Sequence, residues 1–414
     1  MMKLSVLEKL QQTNADAEIW WDSSPLVFAS WRDEQVRKAP DNEARDHWIA
    51  QLDRFLNPDD PSRSLVRGVT TNPSLIAKSI ISSPELWGRE VQNLARYQTG
   101  QGGQEMFWLV YLEAVRRAAE FMFPMWASTG GRYGWVSGQI DPRDMFDADR
   151  MMEQAMQIAR LAPNLMVKVP GTRQGYEVIR RLAARGISVN NTCSYTVPQF
   201  VTCIRAVETG LDEARRQGID LSRWRCVITH MIGRFGSQGD LIAQADVRDI
   251  ALCQAEVRWA EIAILKRIHN ILSGCTAPIK MLLSSLQMDD PTIGSATLSM
   301  HLQETAGANI IYTCKPEFIE KTMIRAEEVN QFDCHAIERS IPKAVMEKLE
   351  RLPYFRQAFE PDGMLPENFG RHGAFLATQA EVNCWMRRLI DFTDCQMQVV
   401  SGRTRRSMLQ VAAE

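Results

Sequence analysis

Hydrophobic and polar positions along this chain keep two alternating periods. Short apolar runs with strand character, each closed by Gly, Pro, Asn or Asp, alternate with longer stretches whose apolar residues recur every three or four positions. The runs fall at 18–22, 65–72, 134–140, 164–169, 187–193, 224–231, 279–285 and 309–313. Helical patterning fills most of the intervals: residues 1–16, most of 74–127 with a strongly amphipathic stretch over 107–125, and about 239–272. Eight strands with helices between them predict a (β/α)8 TIM barrel over residues 1–330. Residues 330–398 keep a helical, amphipathic pattern apart from a loop at 359–366, and residues 331–414 are expected to pack on the barrel as a C-terminal extension. Asn57 to Pro61 reads as a loop, and the polar stretch from Ser401 reads as a frayed tail. Repeats of solenoid length and low-complexity linkers are absent from the sequence, so one elaborated domain is preferred to two.

Composition narrows the picture by exclusion. An apolar content of 45% is ordinary for a globular chain with a large core. The formal net charge of −2 gives no global reason to expect nucleic acid or an anionic membrane as partner. The apolar runs are too short to span a membrane, and the amphipathic start lacks a signal-peptide core. Nine cysteines without a paired spacing fit reduced, buried thiols in a cytoplasmic protein. The six histidines never cluster at a ligand spacing, so no metal is expected.

One stretch carries candidate chemistry. Asn164-Leu-Met-Val-Lys-Val-Pro-Gly-Thr172 is an apolar strand holding one lysine, Lys168, and stopped by Pro170-Gly171. A lysine buried in such a strand is driven toward its neutral form by desolvation, and a neutral amine is a nucleophile toward carbonyls. The other reading is a lysine snorkelling from the strand end toward a carboxylate, and the strand pattern alone favours it.

In a barrel, the chemistry sits where the strands end. The polar residues at those ends are Asp22, Asn72, Gln139, Lys168, Asn190 with Thr192, Thr229 with Arg234, and Ser284 with Ser285. Each also has a structural reading. Asp22, Thr71 and Asn72 are potential helix caps, Asn190 and Thr192 can satisfy backbone groups, and Arg234 can be a surface cation on a glycine turn. Together they supply an amine, a carboxylate, amides, hydroxyls and a guanidinium, a set suited to carbonyl chemistry on a phosphorylated sugar.

Four ordered motifs resemble those of the transaldolase family: Val-Arg-Gly-Val-Thr-Thr-Asn-Pro-Ser (66–74), Thr-Gly-Gly-Arg-Tyr-Gly-Trp-Val-Ser-Gly-Gln-Ile-Asp-Pro-Arg (129–143), Asn-Leu-Met-Val-Lys-Val-Pro-Gly-Thr (164–172) and Gly-Ile-Ser-Val-Asn-Asn-Thr (186–192). The resemblance runs over roughly residues 15–330 and is strongest in 65–200. It implies a cofactor-free class I enzyme of carbohydrate metabolism, of the kind found in the pentose phosphate pathway. Such an enzyme passes a dihydroxyacetone unit from a ketose phosphate to an aldose phosphate. By this resemblance Lys168 forms the Schiff base at C2 and Asp22 takes the proton from the C4 hydroxyl. Asn72 and Asn190 hold the hydroxyls of the retained unit, with Thr71 beside them, and Thr192 belongs to the water relay. Thr229 stands at the family's serine position, and Arg234 at its phosphate-binding arginine, with Ser284 and Ser285 completing the substrate side.

Three positions depart from the family pattern. Gln139 stands where transaldolases usually carry a glutamate, and is similar in this to the related fructose-6-phosphate aldolases. The stretch Ser284-Ser-Leu-Gln287 lacks the second arginine of some members, and Met231 replaces a residue that is often aromatic. The rival expectations are an aldolase that releases free dihydroxyacetone, a specialised transaldolase of secondary metabolism, and a non-catalytic sugar-phosphate-binding barrel.

Overall fold

The computed structural model describes residues 3–57, 60–97, 102–290 and 298–400. Eight parallel strands close into a barrel in sequence order: β1 Glu18–Trp21, β2 Val66–Thr70, β3 Trp135–Gln139, β4 Leu165–Pro170, β5 Val189–Ser194, β6 Cys226–His230, β7 Ile279–Leu283 and β8 Ile311–Cys314. β8 returns to pair with β1, with Trp21 opposite Cys314. Each expected strand forms, with its ends moved by no more than two residues.

The period of two along a strand sorts every barrel residue to one of two faces. Ile19, Trp21, Val136, Val167, Val169, Val189, Ile228 and Leu283 face outward into one large core shared with the surrounding helices. The alternate positions Trp20, Trp135, Met166, Val227, Leu282 and Ile311 face inward and form a separate apolar cluster with Trp126. That cluster fills the barrel's floor, as packed side-chain layers do in this architecture. Gly68 permits it: a Cβ there would lie 2.4 Å from the Trp20 ring, so only glycine leaves room for the indole inside the barrel.

The helical expectations hold in outline and need correction in detail. The N-terminal helix is shorter than 1–16, running Val6–Gln11 from a Ser5 capping box. Residues 74–127 contain three helices, Pro73–Ile81, Pro84–Tyr97 and Gly103–Ser128, because prolines and glycines restart the chain between them. The stretch 239–272 divides into Leu241–Val247 and Gln254–Ser273. Residues 330–342 are mostly irregular, with one 3₁₀ turn at Ala336–Glu338, since Pro342 blocks an earlier helix start. Helices follow at Lys343–Leu349, Pro353–Phe359 and Gly373–Val400, the last two separated by the expected loop and a 3₁₀ turn at Pro366–Arg371. Residues 58 and 59 of the predicted loop, and the predicted tail from Ser401, lie outside the described residues.

The C-terminal helix Gly373–Val400 packs on the helices Pro73–Ile81, Pro84–Tyr97 and Gly103–Ser128 and reaches the short helix Ile232–Gln238. An aromatic stack seals its start to the barrel. The His372 ring lies 4.7 Å from that of Tyr354, 5.7 Å from Tyr195 and 6.0 Å from Phe235. All nine cysteines are free thiols. Burial holds for Cys203, Cys226 and Cys314, whereas Cys253, Cys334 and Cys384 are exposed, two of them in the C-terminal segments outside the closed barrel. Among the described residues no helix is long and apolar enough to cross a membrane.

Candidate active site

The inward face of each strand ends in a polar residue: Asp22 just past β1, Thr70 on β2, Gln139 on β3, Lys168 on β4, Thr192 on β5, Thr229 on β6, Ser284 just past β7 and Thr313 on β8. All eight line one cavity of about 460 Å³ at the barrel mouth. Leu282, from the apolar cluster below, also reaches its wall.

Lys168 is 4% exposed, and its Nζ donates to the Thr71 carbonyl at 3.2 Å. Burial holds this amine below the ordinary lysine range, the Asp22 carboxylate pushes the other way, and the Lys315 ammonium assists burial. The snorkelling alternative therefore gives way to a buried amine inside the mouth.

Asp22 is 5% exposed and is tied down through hydroxyls. Thr70 Oγ1 donates to Asp22 Oδ1 at 2.8 Å and lies 2.8 Å from Thr313 Oγ1. With the Thr70 proton committed to the carboxylate, Thr313 is the donor in the second contact, giving a chain from Thr313 through Thr70 to Asp22.

Gln139 pairs in register with Lys168, and Lys168 with Asn190. The Gln139 backbone N–H donates to Tyr111 Oη at 2.9 Å, which fixes the end of β3 against the helix Gly103–Ser128. Its side chain lines the cavity, as does that of Thr192. Asn72 fulfils its cap reading and also stands at the cavity wall. It caps the helix Pro73–Ile81, accepting from the Leu75 N–H at 2.9 Å.

Thr71 and Asn190 stand behind the lining rather than in it. Thr71 Oγ1 donates to the Ser137 carbonyl at 2.6 Å, joining the end of β2 to β3. Asn190 donates to Ser137 Oγ at 2.8 Å and accepts from Thr229 Oγ1 at 2.7 Å, so its amide is engaged one layer below the mouth.

Arg234 enters the cavity from the helix Ile232–Gln238, which packs tightly on the end of β7. A Cβ at Gly233 would lie 2.2 Å from the Ser285 carbonyl. That helix is also held from behind: Glu261 Oε1 accepts from the Gly236 N–H at 3.0 Å, while Glu261 Oε2 meets Arg258 at 3.0 Å and His301 at 2.8 Å. The Arg234 guanidinium donates to Ser285 Oγ at 3.4 Å, Gln238 Oε1 at 3.1 Å and Thr378 Oγ1 at 3.1 Å, and pairs with Glu381 Oε2 at 2.8 Å. Ser285 reaches it from a left-handed backbone conformation, φ 60°. The Ser284 hydroxyl is buried without a partner among the described residues.

Several lining residues were not singled out from the sequence. Thr70 and Thr313 were legible as the inward, alternate positions of their strands. Cys193, next to the predicted Thr192, and Lys315, two residues past the expected eighth strand, needed the barrel to be placed. Lys78, Thr378, Glu381 and Val382 come from helices, the last three from the C-terminal helix, remote in sequence from any strand end.

A profile of the family described as Transaldolase/Fructose-6-phosphate aldolase matches residues 61–360. A transaldolase of Mycobacterium ulcerans (strain Agy99) is 32% identical over 177 residues, 42% of this chain and 47% of that protein. Transaldolase 1 of Streptomyces avermitilis is 34% identical over 177 residues, 42% of this chain and 46% of that protein. The matched segment thus spans about half the length of these curated relatives. Asp22 precedes the profile match and Glu381 follows it, so their place at the mouth is a result of the fold.

Proposed function

The chain belongs to the transaldolase/fructose-6-phosphate aldolase family, and we propose that it transfers a dihydroxyacetone unit from a ketose phosphate to an aldose phosphate through a Schiff base on Lys168. The observation that carries this reading is the buried Lys168 amine, held below its usual pKa in the same cavity as Asp22. Binding a sugar phosphate asks for neither group, so a purely binding barrel is disfavoured.

In this mechanism neutral Lys168 attacks the C2 carbonyl, and the carbinolamine loses water to give the protonated imine. Asp22 accepts the proton of the C4 hydroxyl, and the C3–C4 bond breaks with its electron pair entering the iminium. An aldose phosphate leaves and an enamine remains on Lys168. A second aldose phosphate takes up the enamine carbon, Asp22 returns the proton, and water hydrolyses the new imine. Asn72 holds hydroxyls of the retained unit from the cavity wall, whereas Asn190 and Thr71 act from behind it by positioning Thr229, Ser137 and the Thr71 carbonyl. Gln139 and Thr192 hold the water for imine formation and hydrolysis. Arg234, with Ser284 and Ser285, forms the distal end of the substrate site. No step calls for a cofactor.

Gln139 favours a second reading in part. Its amide can orient water but cannot accept a proton as a carboxylate does. Slow hydrolysis and exchange would alter the balance between transfer and release of free dihydroxyacetone.

The test is a transfer assay with fructose 6-phosphate as donor and isotopically labelled erythrose 4-phosphate as acceptor, read by mass spectrometry. Labelled seven-carbon ketose phosphate is expected from the native protein and none from Lys168→Met. Release of dihydroxyacetone without labelled product would replace transfer by simple cleavage.

A further inference from the structure

Arg234 is the one guanidinium lining the cavity, and the C-terminal helix supplies its only charged acceptor among the described residues. Glu381 Oε2 lies 2.8 Å from Arg234 Nη2, and Thr378, one turn earlier on the same helix, accepts from Nη1 at 3.1 Å. Thr378 is itself held in place, donating to the Ala374 carbonyl at 2.8 Å and accepting from Tyr195 Oη at 2.7 Å. Nε reaches Ser285, so each guanidinium nitrogen already has a protein acceptor.

A phosphate is recognised by arginine through paired N–H donors that a carboxylate satisfies equally well. The charge of the mouth points the same way. Apart from Lys168, the proposed nucleophile, Lys78, Arg234 and Lys315 face Asp22, Glu317 and Glu381, three cations against three anions. A cavity so balanced lacks the net positive field of a dedicated anion site. The pair is also unequal in burial: the Arg234 side chain is 11% exposed and that of Glu381 40%, so the carboxylate is the member able to turn toward water.

Resting on the reading of Arg234 as the distal, phosphate-side contact, we infer that Glu381 is a specificity-determining residue that competes with the substrate's phosphate for Arg234. A phosphorylated sugar must displace the carboxylate, because two anions on one guanidinium repel each other. A sugar ending in a neutral hydroxyl leaves the ion pair intact and loses little. The site therefore discriminates weakly between phosphorylated and unphosphorylated ketoses, and the chemical class of its donors extends to free ketoses.

The experiment compares kcat/KM for fructose 6-phosphate and fructose in the native protein, Glu381→Gln, Arg234→Ala and the double variant. Trapping on Lys168 is measured alongside with each donor. In Glu381→Gln the ratio of the phosphorylated to the free donor should rise by about 10- to 100-fold, the range of a charge-assisted contact. The rise should appear in the KM of the phosphorylated donor. In the Arg234→Ala background the same substitution should leave the ratio where Arg234→Ala put it. A ratio unmoved by Glu381→Gln, or moved equally with and without Arg234, overturns the inference while Lys168 trapping still upholds the Schiff-base reading. Absence of any adduct on Lys168 with both donors removes both.

Discussion

Thr70 Oγ1 donates to Asp22 Oδ1 at 2.8 Å, and Thr313 Oγ1 stands 2.8 Å behind it. The three residues sit on adjacent strands β2, β1 and β8, so the closure of the barrel between first and last strand orients the carboxylate. A carboxylate held this way has one oxygen engaged by the protein.

Thr70→Val keeps the shape of the side chain and removes the donor. It should slow C3–C4 cleavage by about 10- to 100-fold, the loss expected for a hydrogen bond to a charged group. The Lys168 imine should still form, and Thr70→Ser should recover most of the rate. Single-turnover cleavage measured beside imine trapping separates the two steps. Equal loss in both would make Thr70 a structural residue only.

The pH dependence of imine formation follows the signs at Lys168. Burial lowers the amine's pKa, so the pH at which trapping reaches half its maximum should lie below that of an ordinary lysine. Asp22 opposes that shift and Lys315 reinforces it. Asp22→Asn should therefore move the midpoint further down, and Lys315→Gln should move it up. Initial trapping rates across pH 6 to 10 check both. Midpoints shifting in the opposite senses would exclude the electrostatic account of the amine.

The barrel and most of its mouth were legible because strand alternation and strand ends are local signals. Lys168, Asp22, Gln139 and Thr229 are polar residues on the inward parity of apolar strands, and that parity needs no tertiary information. Thr71 and Asn190 illustrate what parity and proximity to a strand end leave open. Thr71 occupies the opposite parity, while Asn190 is inward but one layer too deep, and both are consumed by Ser137 and Thr229. Thr70 and Thr313 are inward by parity, but their link to each other and to Asp22 emerges only once β8 is seen beside β1. Glu381 was beyond reach, since its contact with Arg234 joins residues 147 positions apart through helix packing alone. The exposed Cys253, Cys334 and Cys384 show the same limit: cysteine spacing reports redox pairing but not whether a helix cap, a turn or a helix face leaves the thiol exposed.

Two buried histidines contribute to the loss of stability in acid. His230 is fully buried against Phe200 and His372 lies in the Tyr354–Tyr195 stack, and burial lowers each pKa to about 3. Their stabilising contribution is complete above the unfolded value of about 6.5 and is lost as pH falls from there toward 3, because only the unfolded chain takes up the protons. Each should cost about 1.4 kcal/mol per pH unit in that window. Urea unfolding at pH 7, 6 and 5 measures the slope, and His372→Phe should reduce it by about half. An unchanged slope would mean that His372 is protonated in the fold.

The central claim is that Lys168 is the nucleophile. Incubation with fructose 6-phosphate and sodium borohydride, followed by proteolysis and peptide mass analysis, tests it most directly. A reduced three-carbon adduct is expected on the peptide bearing Lys168, none elsewhere, and none in Lys168→Arg, whose guanidinium stays protonated. An adduct on Lys78, Lys315 or any other lysine, with Lys168 unmodified, would contradict it.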